Sequence, residues 1–86
     1  MSTRYKVLVA EDEVKIREIL VDFLTDYYEV IEAKDGEEAL RLFHSQQIDL
    51  VLLDLMMPGR DGFSVLKEIR SVSKVPVMIL TARSSV

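Results

Sequence analysis

Val7-Leu8-Val9-Ala10-Glu11-Asp12-Glu13 runs four small or apolar residues straight into three acids. The apolar half demands burial, whereas three adjacent carboxylates demand water or a cation. Tyr5 to Ala10 is short and rich in apolar residues, and predicts a strand. From Val14 the apolar period lengthens. Ile16, Ile19, Leu20, Phe23, Leu24 and Tyr27 recur at helical spacing and predict the inward face of a helix. Glu13 and Arg17, four residues apart, suit its outer face. Asp12 or Glu13 suits its positive N-terminal end.

The same alternation repeats outward from this stretch. Tyr28 to Ala33 predicts a second strand. Asp35 and Glu38 then have the spacing of a capping box, opening a helix with Ala39, Leu40 and Phe43 on its inner face and an end near residues 44–47. His44 is a solvated residue at that helix end. Ile48 to Leu53 is almost wholly apolar, as expected of a strand covered on both faces, and it too runs into an acid, Asp54. Residues 56–62, MMPGRDG, carry turn chemistry, with Met56 and Met57 as loop packing. Asp61 is a suitable N-cap for a third helix from Phe63 to about Ser71, with Phe63, Val65, Leu66 and Ile69 toward the core. Val75 to Leu80 predicts a fourth strand, with Pro76 near its start.

The β-α-β-α-β-α-β order implies a parallel sheet with right-handed crossovers. Two α/β architectures compete. A dinucleotide-binding half needs a glycine-rich turn after the first strand, where this chain has Glu11-Asp12-Glu13. Carboxylates repel a pyrophosphate, so the expected fold is a flavodoxin-like, doubly wound parallel sheet of strand order 2-1-3-4.

Composition narrows the function classes. The chain has 86 residues, 49% hydrophobic and 30% charged, which suits one small domain over residues 1–86. Such a domain buries only roughly 60% of the surface of its unfolded chain. Net charge is −4 and Lys and Arg form no cluster, so no nucleic-acid or membrane surface is expected. With no cysteine there is no disulfide frame and no thiolate site. No apolar run approaches a bilayer span and MSTRYK has no signal-peptide character, so a cytoplasmic chain is expected.

In open parallel sheets, ligands bind beyond the carboxyl ends of the strands, where strand order reverses. Here that point lies between the first and third strands, the two that end in acids. Glu11, Asp12 and Asp54 should converge there, with Thr81 at the end of the fourth strand beside them. Clustered carboxylates raise one another's pKa. Oxygen ligands without His or Cys suit Mg²⁺. An acidic triplet after a strand also serves a helix N-terminus, but Asp54 closing a buried strand at the same point favours the metal.

VLVAEDE, AKDGEEAL, DLVLLDLMMPGRDGF and VPVMILTAR, in this order and spacing, resemble the receiver domain of two-component response regulators across the whole chain. The LMMPGRDGF loop and the TAR ending are most similar to the branch whose members carry a winged-helix DNA-binding domain. The resemblance implies that Asp54 accepts a phosphoryl group from a histidine kinase. It implies that Glu11 and Asp12 hold Mg²⁺ with Asp54, and that the Met56 backbone carbonyl completes that site. It implies that the Thr81 hydroxyl and Ala82 N–H receive the phosphoryl oxygens, and that Pro58 and Gly62 shape the loop. Such a chain is a phosphoryl acceptor, not a turnover enzyme, although family members catalyse their own phosphorylation and dephosphorylation.

The family pattern continues beyond Arg83 with a helix, a fifth strand ending in a lysine, and a closing helix. This sequence stops at Val86, so a truncated receiver is expected. Two readings follow. In one the chain still accepts a phosphoryl group. In the other it is a folding, fusion or self-association module, pairing copies through the exposed edge of the fourth strand. A phosphohydrolase with an aspartyl nucleophile is disfavoured, because its second acid would stand where Met56 does.

Overall fold

The computed structural model describes residues 4–59 and 61–80. Seven elements alternate: β1 (Lys6–Ala10), α1 (Val14–Thr25), β2 (Glu29–Ala33), α2 (Gly36–Ser45), β3 (Leu50–Asp54), α3 (Gly62–Val72) and β4 (Val77–Leu80). The strands form one parallel sheet in the order β2-β1-β3-β4. This is the expected flavodoxin-like order. Strand starts fall one or two residues later than the apolar runs suggest, because those runs begin in the turns that feed the ladder.

Alternation along the strands divides the core. Leu8, Ala10, Ala33, Val51 and Leu53 face α2 and α3, where they meet Ala39, Leu40, Val65 and Ile69. Val7, Val9 and Leu52 face α1, packed by Leu20, Leu24 and Tyr28. β1 and β3, buried on both faces, are the hydrophobic keel of the domain.

Helix starts follow local chemistry. Asp35 Oδ1 accepts from the Glu38 N–H at 2.8 Å, and Glu38 Oε1 accepts from the Lys34 N–H at 2.9 Å, a reciprocal cap. Asp61 Oδ1 accepts from the Ser64 N–H at 2.8 Å. His44, at the exposed end of α2, lies 3.2 Å from Glu68 Oε2 on α3.

Two apolar faces differ from expectation. On α1, Leu20 and Leu24 pack on the sheet, but Ile19 and Phe23 are exposed and no residue of the helix is fully buried; Tyr27, expected on the same face, lies exposed in the turn beyond the helix end at Thr25. Periodicity marks the apolar stripe; the sheet takes only one edge of it. Phe63 also points outward, since it opens the first turn of α3 while Val65 and Ile69 occupy the inner side. Of the loop methionines, Met57 is buried as expected and Met56 is exposed.

The loop after β3 turns on two glycines. Gly59 has φ +74°, the left-handed region. Gly62 lies directly against the end of β3: a Cβ there would fall on the Leu55 Cα and 2.5 Å from the Asp54 carbonyl oxygen, and its N–H donates to Leu55 O at 3.2 Å. Gly62→Ala should therefore lower the unfolding free energy by about 2–3 kcal/mol in urea titrations. Gly59→Ala, with nothing within 4 Å of its Cβ, should cost only about 1 kcal/mol, the penalty of its φ.

Candidate functional site

Parallel pairing aligns Ala10 with Leu53 on adjacent strands, so Glu11 and Asp54 leave the sheet side by side. One carboxylate oxygen from each of Glu11, Asp12 and Asp54 lies within 4.8 Å of the others. Glu11 is 1% exposed and Asp54 5%, while Asp12 is half-buried. Three of the residues read from the sequence as one cluster are thus brought together.

The backbone organises these acids. The Glu11 N–H donates to Ala33 O on β2 at 3.1 Å. Its Oε2 accepts from the Glu13 N–H at 3.1 Å, satisfying the start of α1, where Glu13 provides no side-chain cap. Its Oε1 is buried without a hydrogen-bond partner among the described residues. Asp54 Oδ1 accepts from the Met56 N–H at 2.9 Å, which ties the exposed Met56 to the site through its backbone. Pro58 lies in the turn after β3, and Gly62 opens α3 directly against the Asp54 carbonyl oxygen. Thr81 and Ala82 lie outside the described residues.

Burial, above all, pushes the Glu11 carboxyl up from 4.5 to about 7. Contact with the Asp54 carboxylate and the charges of Asp54 and Asp12 add to this, against a lowering by the Glu13 N–H. A buried carboxylate oxygen with no donor, beside two further carboxylates, fits a hard divalent cation. The all-oxygen donor set fits Mg²⁺.

Arg17 is the site residue that sequence reasoning missed. It was expected on the outer face of α1, paired with Glu13. Its side chain is only 15% exposed; Nη1 donates to Glu11 O at 2.7 Å and Nε lies 3.3 Å from Glu32 Oε1 on β2. No local pattern announces a partner fifteen positions away on a strand.

A family model for the response regulator receiver domain matches residues 7–86. The chain belongs to the response regulator receiver family. Among relatives, a probable transcriptional regulator, ycf27, of Guillardia theta is 49% identical over 87 aligned positions, covering 100% of this receiver and 34% of that protein. The receiver spans about a third of the length of the curated relatives it matches. The response regulator protein TrrA from Thermotoga maritima, solved in complex with Mg(2+)-BeF, is 45% identical with TM-score 0.87, over 93% of this receiver and 71% of that chain. A structure of histidine kinase ThkA in complex with TrrA matches with 44% identity and TM-score 0.84, over 94% and 72% of the respective chains. Among the described residues, no helix is long and apolar enough to cross a membrane.

The raised Glu11 pKa carries a sign. The folded receiver binds this proton more tightly than the unfolded chain, so stability falls as pH rises from 4.5 to 7 and is level beyond. The full effect is on the order of 3 kcal/mol. Urea midpoints without divalent cations should follow this slope, and Glu11→Gln should flatten it. Added Mg²⁺ should stabilise the receiver above this window and progressively less below it.

Proposed function

We propose that the receiver takes a phosphoryl group from a histidine kinase onto Asp54, with Mg²⁺, within a two-component system that regulates transcription. The observation that carries this reading is the convergence of Asp54 with Glu11 and Asp12 at the carboxyl edge of β1 and β3. Family membership and a receiver–kinase complex among its structural relatives support it.

The chain's own groups have distinct tasks. Asp54 Oδ1 is held by the Met56 N–H. Oδ2 is therefore the attacking atom. It forms an O–P bond as the P–N bond of a phosphohistidine breaks, and the leaving imidazole keeps that electron pair. Glu11, Asp12, Asp54 and the Met56 carbonyl would hold Mg²⁺, which supplies positive charge to the transferring phosphoryl oxygens. The Thr81 hydroxyl and the Ala82 N–H would take those oxygens in the acyl phosphate product. The negative charges carried by the phosphoryl oxygens there would pull on Thr81 and bias the surrounding surface. Val14, Ile19 and Phe23, exposed along α1 from the acidic loop onward, offer an apolar surface to a protein partner.

A second reading rests on β4. Among the described residues it pairs with β3 on one side only, and Met78 is 57% exposed. Such an edge supports pairing with a second copy. Light scattering across a concentration series should then find a dimer fraction that grows with concentration; a constant monomer mass rejects this reading.

For phosphotransfer, brief exposure to a small acyl phosphate with Mg²⁺ and an acid quench should give a single phosphoryl adduct by intact mass. The adduct should be absent in Asp54→Asn and without Mg²⁺. A folded parent chain that stays unmodified rejects the reading.

A further inference from the structure

We propose that Arg17 is the positioning residue of the acidic site, orienting the Glu11–Asp12 peptide and so aiming two of the three carboxylates. The proposal rests on the metal-binding reading of Glu11, Asp12 and Asp54.

The geometry is specific. Glu11 is the first residue beyond β1, where ladder pairing ends on the β3 side. Its preceding peptide is pinned through the N–H to Ala33 O. Its following peptide, which also carries Asp12, has its carbonyl held by Arg17 Nη1 at 2.7 Å, a short charge-assisted bond in a part-buried setting. Both peptides flanking the Glu11 side chain are thus held. Oε2 takes the Glu13 N–H, and the donor-free Oε1 remains.

Arg17 is itself held. Its Nε meets Glu32, one residue before the Ala33 that binds the Glu11 N–H. A guanidinium is a rigid plane, so Nε on Glu32 sets where Nη1 can lie. One side chain thereby links α1, the acidic loop and β2. As a surface ion pair, Arg17–Glu32 would be worth little, because Glu32 is 49% exposed. Its value lies in aiming the second nitrogen.

Positioning and simple electrostatics predict opposite signs. A cation beside the acidic cluster repels a metal ion, so its removal should tighten Mg²⁺ binding if charge alone matters. If Arg17 positions the ligands, its removal should weaken Mg²⁺ binding. The loss should exceed that for Ca²⁺, whose coordination tolerates displaced ligands that the near-octahedral Mg²⁺ site does not.

The test is Mg²⁺ and Ca²⁺ titration of the 86-residue chain, with circular dichroism and urea unfolding on each variant. Arg17→Met should weaken Mg²⁺ binding about tenfold, the usual effect of removing a group that orients a metal ligand. Arg17→Lys keeps the charge but cannot span both partners, and should also weaken it. Both should lower the Mg²⁺/Ca²⁺ affinity ratio, which partial unfolding alone would leave unchanged. Glu32→Gln leaves Arg17 in place and should shift the ratio the same way by a smaller factor; it carries the test if the Arg17 variants do not fold. Unchanged or tighter Mg²⁺ binding in Arg17→Met, or equal losses for the two ions, overturns the proposal alone. A folded parent chain that binds no Mg²⁺ overturns the metal reading together with it.

Discussion

Three carboxylates are forced together by two strands that have no other place to go. β1 and β3 are apolar on both faces, so each must lie inside the sheet, and their parallel register delivers Glu11 and Asp54 to the same edge. The acids cannot relax apart without dragging buried backbone with them. Burial of Glu11 first, and the neighbouring carboxylates after it, disfavour its charged form, by an amount on the order of 3 kcal/mol against the roughly 5–15 kcal/mol that holds a typical domain folded. A bound cation therefore acts on a substantial fraction of the fold's stability.

Around this repulsion the backbone is unusually well anchored. At the β3 side, Gly62 lies so close to Asp54 and Leu55 that no larger residue fits, and the Met56 N–H fixes one Asp54 oxygen. At the β1 side, Ala33 and Arg17 hold the two peptides flanking Glu11. Glu11 and Asp54 are thus mounted on pinned backbone, and among the described residues Glu11 keeps an oxygen free of donors. Chemistry at Asp54 needs that rigid placement.

The two faces of the sheet are covered unequally. α2 and α3 bury a continuous cluster reaching from Ala33 to Ile69, whereas α1 covers Val7, Val9 and Leu52 with one edge of its apolar stripe. The other edge, Ile19 and Phe23, faces outward, and the Phe23 ring lies 5.9 Å from that of Tyr27 in the turn beyond the helix. The better-packed face carries the loops that mount Asp54; the thinner face carries the helix that mounts Arg17.

Local patterning alone determined the element order, the parallel sheet, the caps at Asp35 and Asp61, and the acids that meet beyond β1 and β3. These are short-range properties: period, capping spacing and an acid closing an apolar run each reside within a few residues, and topology rules carry them to one edge of the sheet. Tertiary structure alone decided which edge of α1 meets the sheet, that Phe63 points outward, and that Arg17 turns inward. Periodicity defines a stripe without defining its rotation, because rotation depends on the partner surface. The i, i+4 spacing of Glu13 and Arg17 pointed to the helix exterior. The Glu11 carbonyl and the Glu32 carboxylate are bound together by the same guanidinium from other segments, and only the assembled fold brings them within its reach.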